Sequence, residues 1–249
     1  MLRSILSLLG GLFTFITMGF FCAALTIGAV FWMYGRDLPS HASLAQYKPP
    51  TISRIYSGEG KLIDEFARER RLFTAAEDIP IVIKQAFISA EDKNFYSHPG
   101  YDLRGIVAAA VDAARSRGRN LRGASTITQQ VMKNFLLDGS RRAERKIKEI
   151  ILATRIERTL DKEKILELYL NEIFLGQNSF GVTAAAQTYF NKTLGELAPH
   201  EAAFLASLPK APSDFHPVRR KKRLLQRRNY VLREMWQNGY LDENSFLSE

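Results

Sequence analysis

The chain has 249 residues, 46% hydrophobic and 24% charged, an ordinary globular balance that leaves room for one sizeable domain or two small ones. Its formal net charge of +9 points to anionic partners, whether nucleic acid, phospholipid or a phosphorylated substrate. Cys22 is the single cysteine, which excludes an internal disulfide, and the four scattered histidines form no Cys/His cluster of metal-binding type.

From Ser4 to Gly35 the sequence carries no charge, long enough to cross a bilayer, which takes about 20 apolar residues. Trp32 and Tyr34 lie at its far end, where an interfacial aromatic belt would sit. A cleavable signal peptide is the competing reading, but its apolar core is usually only about 7–15 residues. Residues 1–35 are therefore predicted to be a cytoplasmic tip and a retained transmembrane anchor. Orientation is weakly encoded: Arg3 flanks one side, Arg36 and Asp37 the other, and with Arg3 inside the rest of the chain lies outside the cytoplasm. Residues 36–53 read as a juxtamembrane linker in which Pro39, Pro49 and Pro50 bar regular structure. "TISRIYSGEGKLIDEFA" follows, two alternating runs around the turn "SGEG", and predicts a hairpin. From about Pro80 the signals turn helical, with predicted helices at 79–91, 102–116, 123–135, 141–160, 162–175, 180–190, 199–208 and 219–238. Residues 54–249 thus read as one mainly helical domain with a small β element, including the start of a following linker.

Three segments could carry chemistry. In "AEDKNFYSHPG", Glu91 and Asp92 end a helix whose apolar stripe is Ile79, Val82, Ile83, Ala86, Phe87 and Ala90. The helix dipole disfavours carboxylates at that end, and Phe95, His98 and Gly100 follow closely. In "RGASTITQQVMKNFLL", Gly123, Ser125, Thr126 and Thr128 suit caps and anion contacts. Thr126, Gln130 and Lys133 share one helical face, a pattern that also fits a capped, solvated helix. In "RRAERKIKEIILATRIERTL", the stripe Ala143, Ile147, Ile150 and Ile151 faces away from Arg145, Glu149, Leu152 and Ile156. This helix is apolar on both sides past its first turns, as a buried element is; Arg145 and Glu149 also fit a plain i,i+4 ion pair worth about 0.3–0.5 kcal/mol.

Two further features invite other readings. The basic run at 219–228 lacks the interleaved aromatics of a nucleic-acid module, so no nucleic-acid partner is expected; it reads as a solvated helix face, with membrane phosphate as the fitting anion. "SLPK" at 207–210 matches S-x-x-K, but Pro209 breaks the helix that motif needs and neither S-x-N nor K-T-G follows, so it is a decoy.

Together these segments resemble the peptidoglycan glycosyltransferases of family 51. The resemblance runs from about Arg54 to the C-terminus through "EDKNFYSHPG" (91–100), "GASTITQQ" (123–130), "RKIKE" (145–149), "KILELYLNEIFLGQNSFGVTAAAQTYF" (164–190) and "HEAAFLASLPKAPS" (200–213), in the family's order. "RIYSGEGKLIDEFA" and the stretch ending "RRNYVLREMWQNGYL" look more like the bifunctional class A penicillin-binding proteins, 1A-like, in which a transpeptidase follows. The chain therefore looks like the N-terminal part of a longer protein and is not expected to contain a transpeptidase domain itself.

The resemblance implies a lysozyme-like fold, mainly α within an α+β class, with a helical head, a membrane-facing jaw and a cleft between them. The jaw is expected to dip into the membrane around 134–139, where Phe135, Leu136 and Leu137 lie between Lys133 and Arg141. The implied reaction polymerises lipid II onto the growing glycan strand as a β-1,4-linked product, inverting the donor and releasing undecaprenyl pyrophosphate, in bacterial cell-wall synthesis at the outer, periplasmic side of the inner membrane. Glu91 is the implied general base, its proton affinity raised by burial and the helix dipole. Asp92, Phe95 and His98 shape or orient the site; Gly123, Ser125, Thr126, Gln129 and Gln130 contact substrate; and Lys133, Arg145 and Lys146 neutralise the leaving pyrophosphate. Glu149 is the second carboxylate, which orients those cations, stabilises positive charge at the sugar or helps hold a divalent ion. Glu167, Tyr169, Asn171 and Glu201 are chiefly structural. No cofactor is required by the sequence, a divalent cation (Mg or Mn) remains open, and membrane lipids and cell-wall synthesis proteins are the expected partners. A lysozyme-like hydrolase shares the paired carboxylates but has no use for the cations; a lipid-binding scaffold would leave Glu91 dispensable.

Overall fold

The computed structural model describes residues 2–36, 38, 53–60, 62–66, 70–116, 123, 125–136 and 142–248. Helix α1 (Leu2–Gly35) contains an apolar span, Leu9–Gly35, with a mean hydropathy of 2.0; most of it stands clear of the body, which it meets at its C-terminal end. Phe13, Phe15, Phe20 and Phe21 point outward from it, as expected of a helix whose surroundings are apolar all round. Its threonine hydroxyls turn inward: Thr14, Thr17 and Thr26 donate to the carbonyls of Gly10, Phe13 and Cys22 at 2.8–2.9 Å, which pairs these three groups within the helix, as an apolar environment requires.

The predicted hairpin is present. Strands β1 (Ser53–Tyr56) and β2 (Leu62–Phe66) pair antiparallel, Ser53 opposite Phe66 and Tyr56 opposite Leu62, with a bulge between Ile55 and Tyr56. A second, two-residue parallel pair joins β3 (Arg70–Arg71) to β4 (Ser179–Phe180). It was not predicted, because two residues carry no alternation to read.

The body is built from α2 (Ile81–Glu91), α3 (Leu103–Arg115), α4 (Ile127–Leu136), α5 (Arg142–Ile156), α6 (Lys162–Glu172), α7 (Val182–Phe190), α8 (Pro199–Leu205), α9 (Lys221–Gln237) and α10 (Glu243–Ser248). The predicted helices all appear, each shorter than predicted; α4 runs from Ile127 to Leu136 rather than 123–135, and α10 is not among the predicted helices. Helix α6 is central, with every residue from Ile165 to Asn171 buried. Helix α4 packs on α5 and α6, while α2 packs on α8 and α9. Ile83 and Phe87 of α2, Ile127 and Met132 of α4, Leu152 of α5 and Val231 of α9 join one apolar core. Ahead of α2 the chain is clasped to α6: Ala76 N–H donates to Glu167 Oε2 at 2.9 Å, and Thr74 N–H to Asn171 Oδ1 at 2.8 Å. Glu201 bonds Lys192 and the Ala198 N–H.

Helix α3 differs from the rest. It buries no residue, and Leu103, Val107 and Val111 form an exposed stripe at i, i+4, i+8. Of the apolar side chains in the segment expected to contact the membrane, Phe135 is the one described; it is half-buried and packs against the core. Residues 137–141 lie outside the described residues.

Candidate active site

Helix α2 ends at the floor of a cleft of about 1060 Å³. Glu91, Asp92, Gly123, Ser125, Gln130, Lys133 and Glu149 line it, so seven of the predicted site residues converge there. A smaller hollow of about 310 Å³ adjoins it and shares Glu91, Asp92, Lys93, Gly123 and Ser125.

The two acids at the end of α2 point different ways. Asp92 turns beneath the floor. Its Oδ2 accepts from the N–H of Ile127, the first residue of α4, at 2.9 Å, and both its oxygens lie within 3.0 Å of His98 Nε2. His98 Nδ1 accepts from Gly100 N–H at 3.1 Å, so the network assigns the ring proton to Nε2, which donates to Asp92. Asp92 thus places negative charge on the positive end of α4. Gly100 has φ +94°, and a Cβ there would meet the Ala153 carbonyl oxygen at 2.7 Å, so only glycine lets this loop lie against α5. Its own carbonyl accepts from Thr126 Oγ1 at 2.8 Å. Phe95, His98 and Gln129 are buried behind the cleft wall rather than lining it, whereas Thr126, also buried, lines the smaller hollow.

Glu91 faces the cleft. Its Oε2 accepts from Gln130 Nε2 at 3.0 Å, and its Oε1 lies 3.7 Å from Arg227 Nη2. Burial pushes the carboxyl above its ordinary value; the Gln130 hydrogen bond and the charges of Arg227 and Lys210 pull it back, and Asp92 adds a further push upward. Tyr169 lies below, its ring edge-on to Phe87 and its hydroxyl without a hydrogen-bond partner among the described residues. Burial raises the proton affinity of that hydroxyl, helped by Glu91 and Asp92.

Glu149, also buried, holds two cations: Lys146 Nζ at 3.1 Å from Oε2 and Arg145 Nε at 3.5 Å from Oε1. Lys146 Nζ donates as well to Ser125 Oγ at 2.8 Å and Gln129 Oε1 at 2.7 Å. The bland ion pair foreseen between Arg145 and Glu149 is therefore present, but inside a larger cluster at the cleft wall. Among the described residues no group of three or more His, Cys, Asp or Glu could hold a metal ion. The surroundings of Glu149 are cationic, so the residues present do not fit a protein-held divalent ion there.

The rest of the wall escaped the sequence reading. Lys210, Arg227, Tyr230 and Glu234 line the cleft from the opposite side. The basic run is thus not solvated throughout, since Arg227 turns inward while Lys221, Lys222 and Arg223 stay exposed. A signal was available: Arg227 falls between Leu224 and Val231 on the buried stripe of α9. "SLPK" holds no exposed serine, since Ser207 is buried with its Oγ donating to the Ala203 carbonyl.

A family model described as Transglycosylase matches residues 59–236, which encloses all five motifs, and the chain belongs to that transglycosylase family. It is 51% identical over 218 residues to penicillin-binding protein 1A of Rickettsia felis, an alignment covering 87% of this chain and 28% of that protein. It is 43% identical over 235 residues to penicillin-binding protein 1A of Escherichia coli, covering 93% and 28% respectively. A crystal structure of penicillin-binding protein 1A from Haemophilus influenzae is 31% identical, with a TM-score of 0.47, over 81% of this chain and 20% of that one. The chain spans under a third of the length of these relatives.

Proposed function

We propose that this chain polymerises lipid II into β-1,4-linked glycan for the bacterial cell wall, at the outer face of the membrane in which α1 is anchored. The observation that carries the reading is a buried Glu91, its proton affinity raised, on a cleft whose wall also holds the Glu149–Lys146–Arg145 cluster. Two hollows meeting at Glu91 offer room for two sugar units. Glu91 takes the proton from the acceptor's 4-hydroxyl as that oxygen attacks the anomeric carbon of the donor. The bond from that carbon to the lipid pyrophosphate breaks, and the carbon inverts. The pyrophosphate leaves as an anion, so it needs neutralising charge rather than a proton. Lys146, Arg145 and Lys133 supply that charge. An incoming pyrophosphate would replace Ser125 and Gln129 as acceptors on Lys146, whose side chain is 41% exposed and so open to exchange. The apolar stripe of α3 gives the domain a second contact with the bilayer surface beside the α1 anchor.

The test is polymerisation of labelled lipid II. Glu91→Gln should lower the rate about 10²–10⁴-fold with the fold intact. A purified, folded variant that kept more than about a tenth of the wild-type rate would overturn the assignment.

A further inference from the structure

Arg227 is placed unlike the other cations of its run. Its side chain is only 15% exposed. Reaching from α9 to the end of α2, its Nη2 donates to the Ala90 carbonyl at 3.1 Å and lies 3.7 Å from Glu91 Oε1. Its guanidinium carbon is 4.8 Å from the centre of the Tyr230 ring. Its Nε is buried with no hydrogen-bond partner among the described residues, and leaving such a donor unpaired is costly. An aliphatic residue would continue the stripe of Leu224, Val231 and Met235 without that cost. The charge offsets the cost where it meets two negative groups, the carbonyl end of α2 and Glu91.

We infer that Arg227 is a positioning residue for Glu91: from the α9 wall it ties down the last turn of α2 and faces one carboxylate oxygen, while Gln130 on α4 holds the other. The inference rests on Glu91 being the base of the proposed reaction. A base must be ionised before it can take a proton. Burial works against that, and Gln130, Arg227 and Lys210 work for it. Among the described residues Arg227 is the one cation within ion-pair distance of Glu91. Asp92 and Lys93 adjoin it in the chain, and Tyr169 lies below it on α6. The remaining charged groups on the cleft are Lys133 of α4, Glu149 of α5, Asp112 and Arg115 of α3, and Glu234 of α9. Neutralising Arg227 therefore leaves Glu91 protonated, and inert as a base, to a higher pH.

The experiment measures initial rates of lipid II polymerisation by the full chain across the acid-to-alkaline range, for wild type, Glu91→Gln, Arg227→Met, Arg227→Gln and Arg227→Lys. Both neutral variants should move the acid limb of the rate profile upward, with a rate about tenfold or more lower on that limb, since an opposite charge at this range lowers a carboxyl pKa by about 1–3. Their alkaline plateau should approach the wild-type rate, and Arg227→Lys should restore part of the shift. An unshifted acid limb in the neutral variants, or a loss equal at every pH, overturns the inference. If Arg227→Met fails to fold, Arg227→Gln decides. A wild type that does not polymerise, or a Glu91→Gln variant that does, refutes the base assignment itself; a Glu91-dependent wild type with unshifted Arg227 variants refutes only the role of Arg227.

Discussion

The face of the cleft and the joint beneath it meet at two adjacent carboxylates. Glu91 keeps one side toward open volume and is held by one amide and a cation at 3.7 Å. Asp92 is enclosed and accepts from the first N–H of α4 and from His98. One region keeps a group available for exchange; the other uses the same chemistry to lock α2, α4 and the Phe95–Gly100 loop together. Residue type and sequence position do not separate the two roles. What separates them is whether the partners leave a face free.

The contrast can be broken most sharply at Lys146. A cleft residue should lose rate and keep stability. Lys146→Ala should cut lipid II polymerisation about a hundred- to a thousand-fold, equivalent to roughly 2.7–4 kcal/mol of transition-state stabilisation. Its melting temperature should move little, because Lys146 is itself 41% exposed and Arg145 stays paired with the buried Glu149 when the lysine is removed. A variant that melted early yet polymerised at near-normal speed would place Lys146 with the joint.

For the joint the pattern reverses. Asp92→Ala should cost about 1.5–3 kcal/mol of stability, the loss of charge-assisted hydrogen bonds with buried donors left behind; chemical denaturation measures it. An unchanged unfolding midpoint would show that α4 and His98 do not depend on this carboxylate.

The smallest effect has the opposite sign. The folded-state proton affinity of Glu91 is raised by burial, so between its ordinary pKa and the raised one the folded protein binds more protons than the unfolded chain. Stability then falls as pH rises through that window. Wild type carries the full penalty above the raised value and none below the ordinary one. Glu91→Gln should therefore melt slightly higher than wild type at neutral pH, and the gap should close in acid. A Gln variant less stable at neutral pH would mean that the charged carboxylate stabilises the fold.

Much of this arrangement was legible from local patterns. The period of α2 and the acids closing it, the turn of the β1–β2 hairpin and the both-sided apolarity of α5 are written in neighbouring residues. Arg227 was hidden by its company: six of the ten residues from 219 to 228 besides it are basic, and charge density masked a single inward position on the stripe of α9. Phe135 lies in the stretch that the family resemblance assigns to the membrane, and its packing against the core is a tertiary contact that no local pattern announces. The exposed stripe of α3 has the spacing of an ordinary core face, and only the tertiary structure shows that no described residue covers it. The β3–β4 pair joins residues about a hundred positions apart, beyond the reach of any local period.

Helix α5 serves the two ends of the molecule at once. Near its C-terminus Arg155 Nη2 donates to the Gly35 carbonyl at 2.9 Å, at the end of α1; nearer its N-terminus Glu149 lines the cleft with Lys146 paired to it. At 1.5 Å per residue, Arg155 and Glu149 are separated by about 9 Å along the axis. The polar layer on each side of a bilayer is only about 5–7 Å thick. Helix α5 therefore acts as a spacer: a fixed count of helical residues separates the end of α1 from the wall of the cleft. One added helical turn between the two contacts would lengthen that spacing by about 5.4 Å and carry the cleft wall away from the end of α1.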